Sequence, residues 1–179
     1  MPTKLQLEQQ NRSRTEKSYT DKIAVSDALQ LTPIGTIHSP HRERFSAPRQ
    51  PLQQTELTPD AAATATITLL PELSLALRDL EHFSHIWVIY WLHLNQGWNP
   101  LVRPPGRGKT KRGLLATRAP HRPNPIGLSA VRLFSIEGNR LNIDAADILD
   151  GTPVLDIKPY LPYADCIESA NSGWLEDCH

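Results

Sequence analysis

The sequence predicts a mainly β protein: a single β-barrel-like domain with one packed helix, preceded by a disordered polar N-terminal tail. Three observations carry that expectation. Short runs rich in β-branched and aromatic residues recur between glycine- and proline-bearing turns. Only one segment has apolar residues at helical spacing. Strands and helices do not alternate as a doubly wound sheet requires, and no GxGxxG or P-loop pattern occurs.

Taken in order, residues 33–37 (Pro-Ile-Gly-Thr-Ile) read as a first strand, followed by a loop dense in Pro and Arg over residues 38–51. Residues 65–69 alternate as a second strand does. Pro71 and Glu72 open the helix, whose stripe of Leu73, Leu77 and Leu80 extends to about Phe83 and is expected to pack on the barrel. Residues 85–94 are continuously apolar, the pattern of a strand covered on both faces, which puts Trp87 and Trp91 in the core. Residues 95–112 form a long polar connection broken by Gly97, Gly106, Gly108 and the Pro104-Pro105 pair; connections of that length are usually functional or disordered. Further strands are expected at 114–117, 129–136, 140–145 and 154–159, with a Glu137-Gly138-Asn139 turn between the second and third.

Length and composition set the bounds. A chain of 179 residues suits one sizeable core. Residues 1–30 read as a flexible polar tail without the apolar segment of a targeting peptide, 31–165 as the barrel domain, and 166–179 as a C-terminal tail. The longest apolar run, residues 86–92, is far shorter than the roughly 20 residues of a membrane helix, so a soluble cytoplasmic protein with no membrane partner is expected. Cys166 and Cys178 read as reduced thiols. The pairs His38/His41 and His82/His85 lack the acid or cysteine partners of a zinc site, so no metal is expected.

The zero net charge conceals a polarised chain. From His82 to Ile136 there is no Asp or Glu, while Arg103, Arg107, Lys109, Lys111, Arg112, Arg118, Arg122 and Arg132 give eight positive charges. From Asp144 onward there are eight carboxylate side chains against a single base, Lys158. A cationic loop broken by Gly and Pro is the footprint of a phosphate-bearing partner, although a solvated surface loop has the same composition. Within the basic half, Arg118 and Arg122 lie in a loop stiffened by Pro120, Pro123 and Pro125, with Gly127 just beyond. Stiff backbone beside fixed cations suits a binding site. In the acidic half, Asp144, Asp147 and Asp150 recur every three residues, a spacing that alternates faces on a strand. Asp150 before Gly151 also fits ordinary turn chemistry. Lys158, Tyr160 and Tyr163, set between prolines, suit either a base or sugar contact or a plain strand end.

Several segments resemble the TrmO (YaeB-like, TsaA-like) family: residues 33–40, 45–51, 80–87, 116–118, 122–127 and 150–160, in order along residues 31–165. The resemblance implies a homodimeric β-barrel that uses S-adenosyl-L-methionine to methylate N6 of threonylcarbamoyladenosine at tRNA position 37, beside the anticodon. It implies cofactor contacts at Pro48, Arg49 and Gln50, at His93 and Leu94, at Arg118 and Leu128, and at Asp144, Ala145, Ala146 and Asp147. Ala145 and Ala146 depart from the small polar residues the pattern leads one to expect there. Many bacterial members carry a further small C-terminal domain, so the loop from Arg103 to Arg112 is a candidate for holding tRNA.

Asp147 is the expected acceptor of the N6 proton or a ligand of the cofactor's polar groups. Arg118 is expected to face the cofactor, and Arg122 the threonyl carboxylate, where a bidentate guanidinium suits the planar group. Two alternatives stand beside this reading: a non-catalytic RNA-binding β-barrel, and a methyltransferase with another acceptor.

Overall fold

The computed structural model describes residues 29–42, 64–105, 109–144 and 148–178. The chain divides into two compact units, Met1–Leu31 and Thr32–His179, and the barrel belongs to the second. Most of the expected N-terminal tail lies outside the described residues.

Six strands close into an antiparallel barrel: β1 (Gly35–His38), β2 (Thr64–Leu69), β3 (His85–Trp91), β6 (Ile126–Glu137), β7 (Arg140–Asp144) and β8 (Pro153–Pro159). Their order around the barrel is β1-β2-β7-β6-β3-β8, and β8 pairs back onto β1. Two short strands, β4 (Leu101–Val102) and β5 (Arg112–Gly113), form a separate hairpin. Closure pairs β8 with β1 at Pro153 and Val154, covering part of an edge that an open six-stranded sheet has to protect by other means.

Alternation decides the core. On β2 the burial pattern is strict, so Ala65, Ile67 and Leu69 turn inward while Thr64, Thr66 and Thr68 do not. Ile37, Ile67, Ile86, Val88, Val131, Leu141, Ile143 and Val154 are sealed from solvent and fill the interior. Each such side chain stabilises the fold by about 1.5–3 kcal/mol relative to exposure. Where β3 pairs with β6, Tyr90 stands opposite Gly127, and a Cβ at Gly127 would run into the Tyr90 ring. Glycine is therefore required there by the ring beside it. The buried Tyr90 hydroxyl is 3.1 Å from Ser129 Oγ, so the polar tip is satisfied inside the core.

Four expectations need correction. The helix over residues 71–83 is instead two 3₁₀ segments, Pro71–Leu77 and Leu80–His82. Asp79, in the left-handed region at φ 69°, separates them, and the Ser74 hydroxyl turns back to the Pro71 carbonyl. Leu77 still packs into the core and Leu80 against it. Residues 85–94 are not covered on both faces: β3 stops at Trp91, with Ile86, Val88 and Tyr90 inward and Trp87, Ile89 and Trp91 outward. Trp87 is half-buried on the barrel's outside, its ring 5.5 Å from that of Tyr160, and Trp91 is 45% exposed. Finally, the strand expected at 114–117 is a 3₁₀ turn, Leu114–Ala116, because only Leu114 finds a place inside.

Candidate active site

The registers put three connections, those that follow β1, β3 and β7, at one end of the barrel. β1 and β3 run toward that end and β2, β6 and β8 away from it, as the pairings Gly35↔Leu69, Trp91↔Ile126 and Tyr90↔Val154 require. β7 ends there too, at Asp144 opposite Thr64. The chain therefore leaves β1 toward residues 43–63, leaves β3 toward 92–125, and leaves β7 toward 145–152, all from the same rim. At the opposite rim β6 and β7 are joined by the tight Gly138-Asn139 turn, with Gly138 at φ 63°.

Among the expected contacts, Pro48, Arg49, Gln50, Ala145, Ala146 and Asp147 lie outside the described residues. The others gather at the loop-bearing rim. The Leu92 N–H donates to the Pro125 carbonyl at 2.7 Å, fastening the end of β3 to the proline-rich loop. His93 follows, half-buried, its ring edge-on to Trp91 at 6.2 Å, and Leu94 is exposed. Leu128 projects from the outer face of β6, 55% exposed, opposite Ile89. Asp144 closes β7, half-buried.

The two arginines differ in role. Arg118 is exposed and makes no hydrogen bond or ion pair among the described residues. Arg122 is half-buried and its Nη1 donates to the Thr117 carbonyl at 2.9 Å and to that of Ala119 at 3.5 Å. It braces the loop that presents Arg118. Part of the stiffness that the sequence assigns to prolines thus comes from a guanidinium, bonded among the described residues through Nη1 alone.

Two supports escaped the sequence reading. Asp150 is the first: its Oδ1 accepts the Ser39 N–H at 3.2 Å and lies 3.7 Å from His38 Nδ1, and its Oδ2 lies 3.9 Å from Arg42 Nε. Ser39 Oγ donates to the Ile148 carbonyl and the Asp150 N–H to the His41 carbonyl. The connection leaving β1 is thereby tied to the one leaving β7, which turn chemistry alone does not achieve. Trp174 is the second. Its Nε1 donates to the Ala116 carbonyl at 2.8 Å, two residues before Arg118, and Arg112 stacks over its ring at 4.9 Å. A tryptophan in an otherwise acidic, polar tail was the signal.

A cleft of about 540 Å³ opens between the segment after β3 and the Arg118 loop, lined by Gln96, Trp98, Asn99, Val102, Ala119 and His121. His121 Nδ1 donates to the Gln96 carbonyl across its mouth at 3.3 Å.

A closed barrel with cations and an apolar outer edge at one rim defines a ligand-binding barrel, and comparison identifies which. Residues 36–166 match the family model of the tRNA-methyltransferase O N-terminal domain. A probable S-adenosyl-L-methionine-binding protein of Pyrococcus abyssi is 47% identical over 144 residues, covering 80% of this chain and 74% of the relative. The tRNA (adenine(37)-N6)-methyltransferase of Escherichia coli is 39% identical over 156 residues, 83% of this chain and 65% of the relative. A TrmO crystal structure from Pseudomonas aeruginosa superposes with a TM-score of 0.65 at 44% identity, covering 82% of this chain and 62% of that one. The chain belongs to the TrmO family by its N-terminal domain. It spans less than two thirds of the length of the E. coli relative and of the P. aeruginosa structure.

Proposed function

We propose that this chain is an S-adenosyl-L-methionine-dependent tRNA methyltransferase that methylates N6 of threonylcarbamoyladenosine at position 37, in the anticodon region. Family membership supports the class of reaction. The single structural observation behind the site is that all described residues expected to touch the cofactor converge on one barrel rim, with Arg118 exposed and uncommitted among them. The residues suit the cofactor's chemistry: a cation for its carboxylate, Leu128 for the adenine face, and the face of the Trp91 ring for the sulfonium.

Bound there, the cofactor supplies an activated methyl group. The chain's part is alignment, since an in-line displacement gains effective molarities on the order of 10⁵ M or more from good orientation. Arg118 holds the cofactor. Arg122, braced through Nη1, offers its other nitrogens to the threonyl carboxylate. Asp147 would take the N6 proton, and the bound cofactor would supply the methyl group that replaces it on nitrogen.

The working form is a homodimer whose seam adjoins the cofactor on the outer face of β3 and β6, so that Trp91 and Leu128, 45% and 55% exposed, border both. Apolar side chains of this size in adjacent register mark an interaction surface. The working compartment is the cytoplasm, where tRNA is modified. No helix among the described residues is long and apolar enough to cross a membrane.

The test has two parts. Calorimetry with S-adenosyl-L-methionine should give a saturable heat, and nucleosides from cells lacking the gene should lose the methylated form at position 37. Cofactor binding without that loss leaves a methyltransferase with another acceptor. RNA binding with no cofactor heat leaves the non-catalytic barrel, which only the cations around the β4–β5 hairpin favour.

A further inference from the structure

The cleft beside the Arg118 loop holds side chains that the proposed methyl transfer does not use. Trp98 is 52% exposed on one wall, although an indole of that size is normally covered. Gly97, at φ 68°, turns the backbone so that Gln96, Trp98 and Asn99 follow one another around the mouth. Two amide side chains beside an open aromatic face are an unusual surface for a lone loop. Together they are what a nucleobase requires: a ring to stack on, and donors and acceptors for its edge.

Charge selects the same ligand. The cleft lies wholly within the segment from His82 to Ile136, which contains no carboxylate side chain. Val102, in the lining, is followed by Arg103 and pairs in register with Arg112. Ala119, on the other wall, follows Arg118. Arg103, Lys109 and Lys111 are exposed along the hairpin arms that lead away from the cleft. A polyanion entering it meets cations on both sides.

We propose that this cleft seats an unpaired nucleobase of the RNA substrate, stacked on Trp98 with its edge read by Gln96 and Asn99, while its flanking phosphates run along the β4–β5 hairpin. The proposal rests on the reading of the chain as a tRNA-acting enzyme, and it adds the grip on the substrate. The volume of about 540 Å³ accommodates one nucleotide and falls within the roughly 300–1,000 Å³ of small-ligand pockets. His121, fastened to the Gln96 carbonyl, holds the two walls together. Trp174, under Arg112 and bonded to Ala116, holds the hairpin against the loop.

The test measures binding of a fluorescently labelled anticodon stem-loop RNA to the full chain by anisotropy, beside calorimetry with S-adenosylhomocysteine. Trp98→Ala should weaken RNA binding by roughly 5- to 150-fold, the loss expected for one base–aromatic stack. Trp98→Leu, which keeps apolar bulk without the ring, should be nearly as weak, and Trp98→Phe should stay within about threefold of the native chain. All three should bind S-adenosylhomocysteine as the native chain does. Should Trp98→Ala fail to fold, the leucine and phenylalanine variants carry the test. RNA binding by Trp98→Leu equal to the native chain overturns the proposal, as does a matching loss of S-adenosylhomocysteine binding, which assigns the cleft to the cofactor. Absence of S-adenosylhomocysteine heat with the native chain is a different result: it sinks the methyltransferase reading and leaves the RNA measurements standing.

Discussion

The two rims of the barrel are built from the same six strands and behave as different materials. At the rim that carries β6 into β7, the chain reverses through Gly138 and Asn139, and the Asn139 side chain caps the Leu69 carbonyl across the turn at 2.5 Å. The β2–β3 connection with its two 3₁₀ segments lies at the same rim, and no expected site residue lies on either. At the other rim the connections are long and are held by side chains: Asp150 between two of them, Arg122 within a third, and Trp174 from the C-terminal segment. The Gly138-Asn139 turn shows how little sequence a barrel needs to reverse its chain. The loop-bearing end shows that fixing a site takes extra bonds the barrel itself does not require.

That contrast can be broken by substitution, beginning with the largest effect. Leu141→Ala removes a sealed core side chain near the closed rim and should cost about 2–5 kcal/mol in urea denaturation. Cofactor affinity of the molecules still folded should be unchanged, because Leu141 lies near the Gly138 turn, away from the expected site residues. Arg118→Ala is the reverse case. Its stability should stay within about 0.5 kcal/mol of the native chain, while cofactor binding by calorimetry should weaken by about 1.5–3 kcal/mol, the worth of a hydrogen bond to a charged group. A stability loss without a binding loss would mean that Arg118 is structural.

Gly127→Ala strikes both at once. The added methyl group meets the Tyr90 ring, so overpacking should cost about 1–3 kcal/mol. Because Leu128 is the next residue, cofactor affinity should fall in the same variant, which separates the open rim from the closed one. The smallest effect is expected at Asp150. Removing its carboxylate in Asp150→Ala leaves the Ser39 N–H without its acceptor, costing about 1 kcal/mol in thermal denaturation. Asp150→Asn retains an acceptor oxygen and should recover most of that stability and of the cofactor affinity. Equal behaviour of the two variants would show that charge, not the hydrogen bond, ties the loops.

Much of the strand pattern was legible. The strand in β2 follows from alternating threonine and apolar residues, and the turn at Gly138 from its composition. Trp87 and Trp91 show where such reasoning stops. An unbroken apolar run does not say which face of a strand is inward, and in a barrel only one face is. The helix stripe of Leu73, Leu77 and Leu80 was real as a packing signal for Leu77 and Leu80, yet spacing did not reveal the break at Asp79 that divides it between two 3₁₀ segments. The site was legible as a set of residue types and charges. Its assembly was not, because Asp150 meets residues 38–42 across more than a hundred positions of sequence.

By itself the sequence determined the composition of this protein's parts: apolar alternation for a barrel wall, turn residues at its reversals, a basic half and an acidic half, and the motifs of its family. Those are local properties, set by backbone preference and by the cost of burying polar groups. Only the tertiary structure decided that the connections after β1, β3 and β7 share a rim, that Trp91 and Leu128 face outward, that Arg122 is partly committed while Arg118 is free of protein partners among the described residues, and that Trp98 stands open beside the basic β4–β5 hairpin. Such decisions come from closure, since the register that seals β8 onto β1 fixes every side chain's face and every loop's neighbours together.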